Sequence, residues 1–168
     1  ADMLSLDLVD KGVVTNQIVL TVGYDKESLA DGHYTGEVVC DHYGRKIPKH
    51  AHGTQNLGRH TSSTRKIIDA TMALFDRIID KTLLARRLNL TACNVIREED
   101  IPEIESYEQI SLFDMAEAAN ADNNAEEKER ALQEAMLLIK HKYGKNAILK
   151  GTNYTEGATA RERNRSIG

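Results

Sequence analysis

The sequence predicts an α+β fold: a small antiparallel or mixed sheet with helices on one face, followed by an acidic linker, one helix and a basic tail. Two observations predict the sheet and its helix. Short segments alternate apolar and polar residues, as half-buried strands do, and one segment between them repeats apolar residues at helical spacing. A third observation, the distribution of charge, divides the 168 residues into a compact body and an appendage.

The net charge of −4 is the sum of three unlike parts. Residues 1–97 carry 13 basic and 11 acidic side chains, residues 98–134 carry 2 and 13, and residues 135–168 carry 7 and 2. The strongly acidic part cannot bury enough apolar surface to form a core of its own. The predicted organisation is therefore a body at 1–97, an acidic linker at 98–121, a helix at 122–144 and a basic, flexible tail at 145–168.

The body begins with the end of a helix and the clearest strand. Met3 to Lys11 places leucines on one face and is followed by Gly12, which is typical of a helix C-terminus. Gln17 to Tyr24 is β-branched and apolar, and its alternate residues predict a strand with one buried face. A helix that starts the chain in this way suggests a fragment of a longer protein.

Two further strands and a helix complete the predicted body. After a long polar connection from Asp25 to about His52, with a short strand near Val38, Gly53 to Thr61 forms a second strand. Ser62 or Ser63 caps an apolar helix that runs to about Lys81. Leu88 to Ala92 alternates as a third strand, and Cys93 to Ile96 continues it. The exposed side of this sheet should carry polar residues, among them Arg87, Asn89 and Thr91.

Beyond the linker, Asp122, Asn123 or Asn124 can cap a helix that ends at Gly144. Its apolar stripe, which includes Leu132, Ala135, Met136, Ile139 and Tyr143, either packs on its own domain or binds a partner groove.

Several protein classes are disfavoured by composition. Cys40 and Cys93 are the two cysteines, without the spacing of a disulfide framework or a zinc ribbon. No run of about eighteen apolar residues and no signal-peptide pattern is present, so no membrane association is expected. The expected location is the cytoplasm, associated with the nucleoid.

The segment from His42 to Ile68 contains no acidic residue in an otherwise acidic chain. Basic side chains and histidines precede the hydroxyl-rich start of the predicted helix, Thr61 to Arg65, a combination that favours phosphate binding. No aromatic stacking platform is evident, which favours sequence-independent binding of a nucleic-acid backbone.

Two alternatives remain open for the same segment. Cys40, His42, His50 and His52, with Asp41 and His60 nearby, are residue types that zinc accepts, although their spacing matches no closed structural site. Alternatively, the chain is a protein-interaction scaffold whose basic loop is inert.

Within the acidic linker lies an apolar pentapeptide, Gln109-Ile110-Ser111-Leu112-Phe113. A Leu-Phe pair can fill an apolar pocket of a partner while the glutamine amide fixes the register. The pattern resembles the peptide with which bacterial DNA polymerases and repair proteins bind the sliding clamp. The alternative is a linker whose Leu112 and Phe113 pack on the preceding domain.

A wider set of motifs resembles one family, the little-finger domain of Y-family translesion DNA polymerases, in the UmuC/DinB-like branch of Firmicutes. The resemblance covers nearly the whole chain. It rests on Val14-Thr15-Asn16-Gln17, Tyr43-Gly44-Arg45, Pro48-Lys49-His50, Gly53-Thr54, Arg59-x-Thr61-Ser62-Ser63, Arg86-Arg87-Leu88, Gln109 to Phe113, and Gly157-Ala158-Thr159 to Arg163-Asn164.

The resemblance implies a region that grips the primer-template DNA without sequence preference and tethers the parent enzyme to the sliding clamp. Together with the basic segment, it assigns DNA contacts to Lys46, Lys49, Arg59, Thr61, Ser62, Ser63, Arg65, Arg86, Arg87 and Asn89. The implied parent is an error-prone lesion-bypass polymerase of the SOS response, whose palm carboxylates and Mg²⁺ lie outside this chain. The chain itself is then not an enzyme and needs no cofactor. Other repair proteins are possible partners of the 132–143 helix or the basic tail.

This sequence also departs from the family pattern. The first strand and much of the first helix of the family's domain are missing, which should expose an edge of the sheet. The connection from Asp25 to His52 is longer than in simpler members.

Overall fold

A computed structural model, which describes residues 1–30, 32–101 and 115–166, confirms the α+β class with a small antiparallel sheet. The chain divides into two compact units, Ala1–Gln109 and Ile110–Gly168. Among the described residues, no helix combines the length and the apolar character needed to cross a membrane.

The first unit contains two α-helices and six strands within its described residues, with 3₁₀ turns at Lys26–Leu29 and Glu98–Asp100. In chain order the elements are α1 (Asp2–Asp10), β1 (Val13–Tyr24), β2 (Val38–Cys40), β3 (Lys46–Pro48), β4 (Ala51–Thr61), α2 (Thr64–Ile78), β5 (Ala85–Cys93) and β6 (Ile96–Arg97).

Strand β1 is the centre of the main sheet. It pairs antiparallel with β4 on one side and with β5 on the other, and β6 pairs with its first residues. In this register Leu20 lies between Gly53 and Leu90. Strands β2 and β3 form a separate two-stranded hairpin within the connection that was predicted to be mostly irregular.

Helix α2 packs on β4 and β1 at one face of the sheet. Leu20, Val22 and Tyr24 of β1 are buried and form a cluster with Leu74 of α2. Burial of side chains of this size stabilises the fold by about 1.5–3 kcal/mol each. The prediction that alternate residues of β1 face the core is therefore confirmed.

The helix approaches β4 most closely at Gly53. A Cβ atom there would lie 2.8 Å from both Leu74 Cδ1 and Ile78 Cγ2. Because real Cβ contacts are longer, glycine permits this close packing of helix on strand.

Hydroxyl groups fix the start of α2. The Ser63 hydroxyl accepts a hydrogen bond from the Lys66 N–H at 3.2 Å, which makes Ser63 the N-cap as predicted. The Thr61 hydroxyl accepts from the Ser63 N–H at 3.0 Å. Ser5 of α1 shares a 2.7 Å hydrogen bond with Thr64, which joins the two helices.

The third strand ends earlier than predicted. Asn94 adopts a left-handed backbone conformation, with φ of 50°, and interrupts the expected continuation from Cys93 to Ile96. Asparagine tolerates this conformation better than most residues. After Asn94 the chain forms a separate short strand, β6, which pairs with Val13 and Val14 of β1 and is not a continuation of β5.

In the second unit, helix α3 (Met115–Tyr143) starts earlier than predicted. Asp122, Asn123 and Asn124 therefore lie within the helix and not at its start. The alanines of this segment have high helix propensity, and they outweigh the preference of Asn and Asp for helix ends. Leu132 and Tyr143 of the predicted apolar stripe are exposed.

The region expected to be a flexible tail contains a 3₁₀ turn, Gly151–Tyr154, and a short helix, α4 (Ala160–Ser166). The Lys140 ammonium donates to the carbonyls of Lys145 and Ile148, both at 2.9 Å. Desolvation of this ammonium lowers the pKa of Lys140. The Asn146 amide donates to the Arg161 carbonyl at 3.2 Å, which joins the residues after α3 to α4. The flexibility of this region stays a prediction.

Candidate nucleic-acid interface

The sheet has a second face, opposite α2, whose residues follow from the strand register. Cα partners in antiparallel strands project to the same side, and alternate residues project to opposite sides. The open face therefore consists of Gln17, Val19, Thr21 and Gly23 of β1, His52, Thr54 and Asn56 of β4, and Arg87, Asn89, Thr91 and Cys93 of β5.

These residues form cross-strand rows. Thr54, Val19 and Thr91 make one row, and His52, Thr21 and Asn89 make the next.

Hydrogen bonds within the open face orient its polar groups. The Gln17 amide donates to the Asn56 side-chain carbonyl at 2.9 Å. The Thr21 hydroxyl lies 3.0 Å from His52 Nδ1. Arg87 Nε donates to the Asn89 side-chain carbonyl at 3.3 Å, which engages one N–H of a guanidinium that carries several.

The electrostatic character of the open face is neutral to positive. It contains an arginine and a histidine, and none of its eleven residues is a carboxylate. Amide, hydroxyl and guanidinium donors are the groups that contact phosphate and sugar oxygens in protein–DNA complexes. The arrangement is chemically suited to an anionic, extended ligand.

Of the predicted DNA contacts, Arg87 and Asn89 lie together on the open face, with Thr91 beside them. Arg86 does not join them, because the register shifts at this end of β5. Its guanidinium forms an ion pair with Asp25 at 3.2 Å. The pKa of Asp25 is lowered, first by a hydrogen bond from the Glu27 N–H and then by the charge of Arg86.

Lys46 is the first residue of β3, and Lys49 directly follows this strand, so neither belongs to the three strands that form the open face. Lys46 is exposed, and the Lys49 ammonium pairs with Glu37 at 2.6 Å. Arg59 lies in the part of β4 where its register with β1 shifts. These positions remain predictions.

The predicted contacts at the start of α2 are a separate group. Thr61, Ser62 and Ser63 are buried, and the hydroxyls of Thr61 and Ser63 accept hydrogen bonds within the cap. Arg65 follows in the first turn of the helix and is exposed. They too remain predictions.

The alternative metal site is not assembled. The part of the chain that the structure describes contains no group of three or more His, Cys, Asp and Glu side chains able to hold a metal ion. Cys40, His42, His50 and His52 all belong to that part. His52 faces Thr21 on the open face instead.

Several residues of the open face were not predicted from the sequence, namely Gln17, Thr21, Thr54 and Asn56, and His52 was considered only for the alternative metal site. A signal was present, since Gln17, Val19, Thr21 and Gly23 are the alternate residues of the strand whose buried face was predicted correctly. The pentapeptide Gln109 to Phe113 lies outside the described residues.

A comparison with known proteins finds sequence similarity to a protein named for DNA repair. It is 30% identical over 151 residues to the "Putative UV-damage repair protein UvrX" of Bacillus subtilis (strain 168). The match covers 89% of this chain and 28% of that protein, so the chain spans under a third of its relative. No family model matches the chain. No solved structure matches it either.

Proposed function

We propose that this chain is a DNA-binding region of a DNA-repair protein and that it holds the sugar-phosphate backbone on the open face. The observation that carries the proposal is the set of outward residues on three paired strands, which supplies hydrogen-bond donors and Arg87 and no carboxylate. The name of the Bacillus subtilis relative supports a role in repair of UV damage.

The chemistry of the open face favours binding without sequence preference. Hydroxyl and amide groups on a sheet contact phosphate and sugar oxygens, which are the same at every base pair. The part of the affinity that comes from Arg87 depends on counterion release and therefore falls as salt concentration rises.

In its finer form, the proposal assigns the chain to a Y-family lesion-bypass polymerase, as a non-catalytic little-finger region. The motif resemblance supports this assignment, and the much greater length of the relative leaves room for a catalytic part elsewhere. The polymerase carboxylates and their Mg²⁺ would belong to that part.

Removal of the Arg87 charge tests the DNA-binding proposal. Arg87→Ala should weaken binding of the chain to a primer-template duplex equally for unrelated sequences, and should reduce the slope of log affinity against log salt by about one unit. Fluorescence anisotropy over a salt series measures both quantities.

Lys11→Ala is the matched control, because Lys11 is an exposed base that pairs with Asp7 at the end of α1. It should leave the slope unchanged. An equal effect of the two substitutions, or no effect of Arg87→Ala, would contradict binding on the open face.

We also propose that Gln109 to Phe113 binds a bacterial sliding clamp, on the strength of the sequence pattern. Wild type should bind a purified clamp, and the Leu112→Ala/Phe113→Ala variant should not. Isothermal titration calorimetry measures the difference. Equal binding by both proteins, or binding by neither, would reduce the pentapeptide to a linker.

A further inference from the structure

The β2–β3 hairpin ends in a short loop that one carboxylate holds in place. Asp41 accepts hydrogen bonds from the backbone N–H groups of Tyr43 and Arg45, both at 2.9 Å. The same carboxylate accepts from Arg45 Nε at 2.7 Å. Gly44 provides the left-handed turn, with φ of 74°. The loop is therefore fixed by its own hydrogen bonds.

This fixed loop displays an aromatic ring to solvent. Tyr43 is 78% exposed, the highest value among the large hydrophobic side chains of the described residues. The Arg45 guanidinium carbon lies 5.0 Å from the centre of its ring, and the His42 ring meets it edge-on at 5.4 Å. Arginine and histidine orient the ring but leave most of its surface in water.

The hairpin stands at a defined end of the sheet. Pro48 is fully buried and the Lys49 N–H donates to the Glu37 carbonyl at 2.8 Å, so the base of the hairpin is anchored. Strand β4 begins at Ala51 and pairs there with Val22. The hairpin thus adjoins the end of the sheet at which His52, Thr21 and Asn89 form a row and Gly23 pairs with Arg87.

We propose that Tyr43, supported by Arg45, is a stacking site for an unpaired nucleobase. An exposed ring gains nothing from burial in the fold, whereas aromatic rings with an adjacent guanidinium stack on bases of single strands. Bases inside a duplex are already stacked on their neighbours, which leaves unpaired bases as the ligand. The exposed Lys46, paired in register with Cys40 at the start of β3, supplies a cation for the adjoining phosphates.

This inference rests on the proposed DNA-binding function and adds a second class of contact to it. A DNA duplex held on the open face would end near Arg87. A single DNA strand that extends beyond this end would pass the hairpin. The open face then binds paired DNA through its backbone, and Tyr43 binds the first bases beyond it.

The test compares three fluorescent DNA ligands with the whole chain: a blunt duplex, the same duplex with a single-stranded extension, and that extension built from abasic units. Wild type should bind the base-containing extension about fivefold or more tightly than the abasic one, the gain that one stacked base provides. Tyr43→Ala should remove this preference and leave blunt-duplex affinity unchanged, and Tyr43→Phe should retain it. A 2-aminopurine in the extension should be quenched by wild type and not by Tyr43→Ala.

Tyr143→Ala is the matched control, since Tyr143 is also exposed and also lies beside a cation, Lys142. It should behave as wild type.

The stacking site would be overturned if Tyr43→Ala did not change the preference for the base-containing extension. The proposed function would stay intact in that case if Arg87→Ala still weakened duplex binding. Absence of binding to every ligand would overturn both. If the abasic extension increased the affinity over the blunt duplex as much as the base-containing extension does, the contact would be with phosphates. That result would overturn base stacking.

Discussion

The two faces of the main sheet differ in almost every chemical respect. On the face under α2, β1 presents Leu20 and Val22, which are buried against Leu74. On the open face the same strand presents Gln17 and Thr21, which make side-chain hydrogen bonds to neighbouring strands. Residues that stabilise the fold and residues available for binding therefore alternate along one strand, because its side-chain period is two.

The largest expected effect is on the covered face. Leu74→Ala should lower the free energy of unfolding by about 2–5 kcal/mol, because it leaves a cavity in a site that is closed to water. Urea denaturation followed by circular dichroism measures the loss. Met72→Ala, on the same helix but 54% exposed, is the control and should cost under about 1 kcal/mol. Similar losses for the two variants would break the distinction between the faces.

Two glycines provide a more direct comparison. Gly53→Ala should destabilise the fold by about 1–3 kcal/mol, because the new Cβ would overlap Leu74 and Ile78 at 2.8 Å. Gly23→Ala on the open face should be neutral or slightly stabilising, since its Cβ would meet Arg87 Cβ at 3.6 Å, an ordinary contact. Thermal denaturation of both variants checks the contrast. A large loss from Gly23→Ala would show that the open face is also tightly packed.

A charge placed on the open face should affect DNA binding and not stability. Thr54→Glu adds a carboxylate to an exposed position in the Val19 row, and DNA affinity should fall about tenfold at low salt through repulsion of phosphates. Anisotropy titrations and urea denaturation measure the two quantities. Thr54→Gln, of the same shape without the charge, should retain most of the affinity. Equal loss in both would assign the effect to shape.

The smallest effect concerns the hairpin loop. Hydrogen bonds from the Arg45 side chain and backbone lower the pKa of Asp41 below its ordinary value of 3.8. The ionised form of Asp41 therefore stabilises the folded loop. This stabilisation is fully present above the ordinary pKa of the carboxyl group, and it is lost as the pH falls through the lowered pKa. Arg45→Ala should raise the pKa of Asp41 towards 3.8, as measured by carbon NMR of the carboxyl group. The pKa of Asp80, lowered by Thr82, should not move.

Parts of the fold that depend on local chemistry were predictable. The Ser63 cap, the Gly12 end of α1 and the buried alternation of β1 all follow from neighbouring residues, and the structure contains them. Errors arose where two local preferences compete. Asn123 can cap a helix or continue one, and the alanine-rich surroundings decide for continuation. Asn94 can extend a strand or turn out of it.

The candidate site was predictable only in part. Arg87 and Asn89 were predicted to share the exposed face because they alternate along one strand, and the register agrees. The sequence shows Thr54 and His52 as polar residues, but their place beside Val19 and Thr21 depends on the pairing register of strands distant in the chain. The Arg86 ion pair with Asp25 is likewise a long-range contact, and it separates two adjacent arginines that the sequence treats alike.

The α+β class, the acidic and basic regions, and the residues of each strand that share a face could all be read from the amino-acid sequence, because periodicity and charge are properties of the chain. Tertiary structure alone decided which strands lie side by side, and hence that eleven residues from three segments form one surface without carboxylates. It also decided that Tyr43 stands exposed beside Arg45. The physical reason is that register and loop geometry result from packing between segments far apart in sequence, which no local preference encodes.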